Sequence, residues 1–388
     1  MKLAIIGLSN SGKTTIFNAL TGQNADVTIY PTVSGEPNLG IVKVPDDRVD
    51  RLAEIYSPKK LTYATVEYID YVGLTKGDVA QNRKVFDMIK DADAIVHVVR
   101  AFEDDAVLHP MNNVNPVRDV ETLEIELIFG DLELAERRLL RMEEGIKKGK
   151  KPNDAEKRLL LKCKDALEKE IPLRNISFDD EEQKAMKHLQ FVSTKPEVVV
   201  LNVGEKDFNT KREHELLGKA KEYFESKYKD PLPVIRALNK LSARPSTKNF
   251  GAPAYYSLLS LCGKIEMEIA QLNSDEAKAF LDDLKISEPA LNKLIHVSYD
   301  LLGLISFLTC GEDEVRAWTI DRGANAQKAA GKIHSDIERG FIRAEVINFE
   351  NFISCGNMAT ARDRGLMRLE GKGYEVKDGD IINFRFNV

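Results

Sequence analysis

The chain has 388 residues, enough for two or three domains, because a single core stops growing beyond roughly 250–300 residues. With 43% hydrophobic and 30% charged residues it has the composition of an ordinary soluble protein, and no apolar run approaches the ~20 residues that span a bilayer, so a cytoplasmic protein without a membrane segment is expected. A net charge of −6 argues against a uniformly basic nucleic-acid binder, and four scattered cysteines with no C-x-x-C or Cys/His cluster argue against a disulfide framework or a zinc site.

The first predicted strand, Lys2 to Ile6, runs into Gly7-Leu8-Ser9-Asn10-Ser11-Gly12-Lys13-Thr14-Thr15. This fits the pattern G-x-x-x-x-G-K-[ST] at a strand-to-helix junction, where backbone N–H groups cradle phosphates. Lys13 is placed to reach the β and γ phosphates, and the Thr14 hydroxyl to ligate Mg²⁺. Ser11, Gly12 and Thr15 complete the phosphate cradle. A proline-punctuated, hydroxyl-rich loop follows at Tyr30 to Asn38, in which Thr32 and Ser34 are both able to supply a second metal ligand.

Further strand-like runs are predicted at Gly40 to Val44, Thr65 to Ile69, Ala94 to Val99, Glu197 to Asn202 and Tyr255 to Cys262, with helical patterns or turns between most of them. Such alternation predicts an α/β fold: a P-loop NTPase of the G-protein type with a mostly parallel sheet and the nucleotide at the carboxyl ends of its strands. Asp70-Tyr71-Val72-Gly73 closes the third of these runs and fits D-x-x-G, making Asp70 a candidate for holding Mg²⁺ and Gly73 the sensor of the γ-phosphate. Leu74 stands where many such enzymes carry the glutamine that orients water, which predicts slow intrinsic hydrolysis; the alternative is a packed loop residue in a binding switch.

Between the strands at Ala94 and Glu197 lies a predicted helical hairpin, roughly Val120 to Lys195. Ile125, Ile128, Leu132, Ala135, Leu139, Met142 and Ile146 form a heptad-like seam on its first arm, and Leu160, Cys163 and Leu167 line the second, Asp154 to Glu170, so an antiparallel coiled coil is expected. Lys147, Lys148, Lys150 and Lys151 break the arms, either as an RNA phosphate contact or as a solvated helix end that suits the dipole. After the Glu197 strand, a guanine reader would carry Asn-Lys-x-Asp. Here Asn202-Val203-Gly204-Glu205 lacks the lysine and lengthens the acid, so adenine becomes the favoured base. Beyond Leu304 the pattern changes to a strand at Glu314 to Ile320, a turn at Gly323, a helix at Ala326 to Glu338, a strand at Ile342 to Phe349 and a final strand at Ile381 to Phe386, a small β-grasp module.

Taken in this order, the elements resemble the YchF/Obg-like ATPase family, whose members join a P-loop domain, an inserted coiled coil and a carboxyl-terminal TGS domain. The likeness is carried by Gly7 to Thr15, Glu36-Pro37-Asn38, Asp70 to Gly77, Phe102-Glu103-Asp104-Asp105, Asn202 to Glu205, Glu314 to Ile320, Ala329 to His334, Gly340 to Ala344 and Asp378 to Val388. It implies a nucleotide-binding domain at 1–119 and 196–303, an insertion at 120–195 and a TGS domain at 304–388. It also implies ATP in preference to GTP, Mg²⁺ dependence, and association with the ribosome or a ribosomal subunit. On this pattern Ser34 is the second metal ligand, Asn202 and the backbone of Val203 border the adenine, and His109 stands near the nucleotide as a substitute for the missing glutamine. Asn10 matches a residue that helps hold a monovalent cation in some related GTPases, so K⁺ is a further expected cofactor. Two rivals remain: a GTPase of the Obg type, and a nucleotide-sensing module with negligible hydrolysis. The chain departs from the family in a shortened stretch after Gly77 and in a proline-containing segment, Tyr228 to Pro253.

Overall fold

The computed structural model describes residues 1–25, 37–149, 151, 153–227, 236–237 and 256–387. Ser34 with its loop, Lys150 and nearly all of the segment from Tyr228 to Pro253 lie outside them. The chain divides into two compact units, the first holding Met1–Gly40 and Glu67–Leu294, the second Ile41–Val66 and Ile295–Val388.

The larger sheet has seven strands in the order β2-β4-β1-β5-β6-β8-β7. These are β1 (Lys2–Ile6), β2 (Asn38–Lys43), β4 (Thr65–Asp70), β5 (Ala94–Ala101), β6 (Glu197–Val203), β7 (Arg236–Ala237) and β8 (Tyr256–Leu261). β1 lies between β4 and β5, parallel to both, and β5, β6 and β8 continue the parallel order. Every residue of β5 and β6 is buried, which explains their unbroken apolar character: helices cover both faces of a parallel sheet. On one side Ile6, Leu74, Phe86 and Leu123 share a core; on the other Val199, Leu201, Leu217, Phe224 and Ile265 do. The helices of this unit are α1 (Lys13–Thr21), α3 (Val79–Ile89), α4 (Pro116–Lys147), α5 (Asp154–Glu168), α6 (Asp180–Leu189), α7 (Lys211–Lys227), α8 (Gly263–Gln271) and α9 (Ser274–Asp283). α10 (Ala290–Leu301) follows across the division between the units.

The insertion pairs the two expected arms, with Leu132, Leu139 and Met142 of the predicted seam packed against their shared core, and departs from the seam at its ends. α4 is capped by Asn115, whose side chain accepts from Arg118 N, and begins with Pro116 at a position where a missing N–H costs nothing. Its first turns bury Leu123 and Leu127 in the core that holds Ile6 and Leu74, and Val120 in the one that holds Val199, so the helix must change face before it meets α5. Ile128 and Ala135 then pack with Leu159, Leu160, Cys163 and Leu167, while Ile125 and Ile146 at the two ends of the predicted seam are exposed. A third helix, α6, also enters this core through Met186, which the two-armed pattern does not contain. Asp131 of α4 fastens the returning chain, accepting Val192 N at 2.9 Å and Ser193 N at 2.7 Å. Burial pushes its carboxyl up to about 6, against those hydrogen bonds and nearby Arg174.

The second unit holds a six-stranded sheet in the order β12-β11-β13-β9-β10-β3. Its strands are β3 (Lys60–Thr62), β9 (Leu304–Thr309), β10 (Glu314–Asp321), β11 (Phe341–Asn348), β12 (Arg368–Glu370) and β13 (Asp380–Phe386). β13 runs parallel to β9 between two antiparallel pairs, the β-grasp arrangement, and α11 (Ala326–Ile333) buries Ala326, Ala329 and Ala330 in its core. The expected single helix from Ala326 to Glu338 is interrupted. His334 is extended, and its Nδ1 accepts from Asp336 N at 3.2 Å, so it caps a separate α12 (Ser335–Arg339). The edge strand β3 and α2 (Asp47–Tyr56) come from early in the chain. β3 pairs parallel with β10, and Arg48 of α2 meets Asp378 at 2.9 Å while also pairing with Asp46, which holds its guanidinium firmly charged.

Candidate nucleotide site

The turn between β1 and α1 is a phosphate cradle by conformation as well as by sequence. Gly12 adopts φ 89°, ψ 21°, a left-handed conformation that costs glycine little, and a side chain there would also run into the Asn202 amide. No side chain caps α1, so its first N–H groups and its dipole face the cradle, the arrangement that receives anions. Lys13, at the first position of the helix, is buried, and its Nζ donates to Leu8 O at 2.9 Å. Burial pulls its ammonium down to about 8, partly opposed by the charge of Asp70.

Thr14 Oγ1 donates to Asp70 Oδ2 at 2.8 Å, bringing together the two residues expected to hold Mg²⁺. The other oxygen, Asp70 Oδ1, is buried with no hydrogen-bond partner among the described residues, and burial raises the carboxyl's pKa. An oxygen pair with one orphaned carboxylate atom suits a hard divalent cation, so the residues present fit Mg²⁺. Among the described residues no cluster of three or more His, Cys, Asp or Glu forms a competing metal site.

Gly73 lies against this group. A Cβ on it would stand 2.8 Å from Ser9 Cα and 3.0 Å from Lys13 Nζ, so only glycine fits so near the lysine. Leu74 N donates to Gly7 O at 3.0 Å and Ser9 N to Leu74 O at 3.3 Å, joining the D-x-x-G loop to the cradle. The Leu74 side chain is fully buried in the core.

His109 is buried, with both ring nitrogens engaged. Nδ1 accepts from Met111 N at 3.0 Å, which leaves the proton on Nε2 for Asp119 Oδ2 at 2.8 Å. Asp119 is held in turn by Arg118. Asn10, at φ 61°, donates its amide to Leu108 O at 3.0 Å and so holds the same loop. Asn202 Nδ2 donates to Ser11 O at 3.0 Å, and its Oδ1 accepts Gly263 N at 3.0 Å, bracing the cradle against the start of α8. Val203 is buried at the end of β6, and Glu205 pairs with Lys264 at 2.7 Å on the surface. Thr15 follows Thr14 in the first turn of α1.

Arg100 is a site residue that sequence reasoning missed. It is buried at the end of β5, stacks on Phe102 at 4.5 Å and donates to Phe102 O, yet its Nη1 has no partner among the described residues. The hydroxyls of Ser9 and Ser11 line the same small cavity and are likewise unpartnered among the described residues. An arginine inside the apolar run Ala94 to Ala101 was the available signal.

Comparison with known proteins shows the family. Residues 2–128 match the family of 50S ribosome-binding GTPases, and residues 304–387 match the YchF-GTPase C-terminal family, described as of unknown function. A curated relative from Bacillus subtilis, named ribosome-binding ATPase YchF, is 41% identical and aligns over 99% of this chain and 98% of its own. Its namesake from Escherichia coli O157:H7 is 38% identical over 100% of this chain and 99% of its own. The solved structure of the Schizosaccharomyces pombe YchF GTPase superposes with a TM-score of 0.76 at 28% identity, covering 99% of this chain and 97% of that one. With identity at this level sustained over nearly the full length, the chain belongs to the YchF family.

Proposed function

We propose that this chain is a slow, Mg²⁺-dependent ATPase that acts as a nucleotide-controlled switch and binds the ribosome in the cytoplasm. The observation that carries the reading is the grouping of Lys13, Thr14, Asp70 and Gly73 at the uncapped start of α1. Lys13 and the cradle N–H groups bind and orient the phosphates. Thr14 and Asp70 would hold Mg²⁺, with Ser34 as a further ligand, and the ion would neutralise charge developing on the phosphates. Gly73 senses the γ-phosphate through its backbone.

Slow turnover follows from two side chains. Leu74 is buried in the core and offers no group to orient water, and both nitrogens of His109 are already engaged. For His109 to act on the nucleotide it must leave Asp119 and Met111, a step that a partner could drive. Those same two observations favour the second reading, a sensing module with negligible hydrolysis, which single-turnover assays at saturating protein separate from the first. K⁺ beside Asn10 belongs to the first reading, and the side-chain carbonyl is the atom able to ligate it.

Adenine is favoured because the chain has no lysine after Asn202 and carries Glu205, paired with Lys264, where a guanine reader carries aspartate. The bacterial relatives are named as ATPases and the fission-yeast one as a GTPase. Titration with ATP, GTP and their diphosphates in Mg²⁺ decides the matter; GTP binding equal to or tighter than ATP would overturn the assignment. The nucleotide-binding domain is assigned to 1–119 and 196–303, with Ile41–Val66 as its excursion into the second unit, the insertion to 120–195 and the TGS domain to 304–388. Lys147, Lys148 and Lys151 are exposed at the end of the insertion, which supports an RNA contact there together with Lys150.

A further inference from the structure

The loop from Gly73 to Gly77 is hydrogen-bonded at Gly73, Leu74, Thr75 and Gly77. Gly73 O accepts from Gln81 Nε2 at 2.9 Å, and Leu74 N and O pair with the cradle. Thr75 N donates to Asn82 Oδ1 at 3.1 Å, and Thr75 O accepts Asn82 Nδ2 at 2.8 Å. Gly77 N donates to Glu126 Oε1 at 2.8 Å, and Glu126 Oε2 accepts the same Asn82 Nδ2 at 2.8 Å. Ser9, Gly7, Gln81 and Asn82 belong to the cradle or to α3, which directly follows the loop. Glu126 belongs to α4, the first helix of the insertion.

We propose that Glu126 is a positioning residue for the γ-phosphate-sensing loop, making the insertion helix part of how the protein distinguishes ATP from ADP. This rests on the reading of the chain as a nucleotide switch. A carboxylate is the chemistry the place requires, because its two oxygens serve two donors at once. A glutamine would present a donor to one of them. Asn82 is only 1% exposed, so losing its carboxylate partner leaves a buried amide hydrogen short of an acceptor. Gly77 sits at φ 75° with open space around it, so this anchored end of the loop can turn without a side-chain clash.

The consequence is mechanical. A γ-phosphate that draws Gly73 toward it loads Thr75 and Gly77, and the load passes through Asn82 and Glu126 to α4. Linkage makes the coupling reciprocal: whatever fixes α4 shifts the preference between the two nucleotides by the same factor.

The test uses the full chain with Glu126→Ala and Glu126→Gln, titrated with ADP and with a non-hydrolysable ATP analogue in Mg²⁺, alongside single-turnover hydrolysis. We expect Glu126→Ala to weaken the ATP analogue by about three- to tenfold while ADP affinity stays within about twofold, with Glu126→Gln between it and the parent. Equal weakening of both nucleotides, or no change in either, would overturn the proposal. Should Glu126→Ala fail to fold, Glu126→Gln decides alone, and an ATP-to-ADP affinity ratio equal to the parent's rejects the role. A parent protein that does not hydrolyse ATP removes the enzymatic reading, but the affinity ratio still tests Glu126.

Discussion

In the proposed nucleotide site, the phosphate end and the base end are built on opposite principles. At the phosphate end, Asp70 Oδ1 and the hydroxyls of Ser9 and Ser11 are buried without partners among the described residues, and Lys13 keeps an ammonium in a place that disfavours its charge. At the base end, Asn202 has both amide atoms engaged and Glu205 is paired with Lys264. The first region holds buried polar groups without partners among the described residues, so a ligand that pairs with them recovers desolvation already incurred. The second is satisfied on its own, so the base must be chosen by fit and by backbone groups. The difference teaches where affinity and where selectivity reside.

The sharpest way to break this comparison is Lys13→Ala, which should lower ATP affinity by about 100-fold or more, read by calorimetry. A loss of less than tenfold would mean that the cradle N–H groups alone carry the phosphates. Next, Asp70→Ala should reduce Mg²⁺-dependent ATP binding by about 10- to 100-fold and leave Mg²⁺-free binding nearly unchanged. Third comes pH. In the free protein Lys13 loses its proton near 8, whereas bound phosphates favour the ammonium, so affinity should fall as pH rises above about 8 by up to about tenfold per unit. Calorimetry in buffers of different ionisation enthalpy should then detect proton uptake on binding, which Lys13→Ala abolishes; no uptake at pH 8.5 contradicts the argument. The smallest effect belongs to the base end. Glu205→Gln breaks only an exposed ion pair and should change the ATP-to-GTP affinity ratio by less than about fivefold. A larger change would make Glu205 a direct reader of the base.

Away from the site, Asp131 offers a stability test with its own sign. Its folded-state pKa of about 6 lies above the ~3.9 of an unfolded aspartate, so the folded protein holds the proton more tightly and stability falls as pH rises between those values. Denaturation midpoints of the parent and Asp131→Asn between pH 4 and 7 should therefore differ in slope; parallel curves would refute the shift.

What was legible in the sequence was local. The Val/Ile/Leu runs of β1, β5 and β6 announce their own burial, and the motif around Gly12 and Lys13 specifies both its turn and its chemistry. What escaped depends on distant partners. β3 is three largely exposed residues that become a strand by pairing with β10. The outward turn of Ile125 follows from α4 resting first on the sheet and only then on α5, which a single heptad register cannot express. The break at His334 is hidden because histidine is not a common helix cap. The start of α6 is different, since its Asp179-to-Glu182 capping box is a local signal that the two-armed pattern passes over. In the site, the bonds of Asn82 and Glu126 to the sensing loop span 7 and 49 residues, and only folding brings the more distant pair together.

The second unit's use of Ile41–Val66 bears on how the chain is made. α2 buries Val49 and Leu52, and Arg48 meets an aspartate 330 positions downstream. Synthesis runs from the amino end, so this segment emerges long before β9, β10 and β13 exist to receive it. Its apolar face must wait for them, and contacts of such sequence separation form slowly. Folding of the second unit is thus completed late, and a fragment cut out at residue 304 leaves behind an edge strand, a helix and the arginine that closes the Asp378 turn.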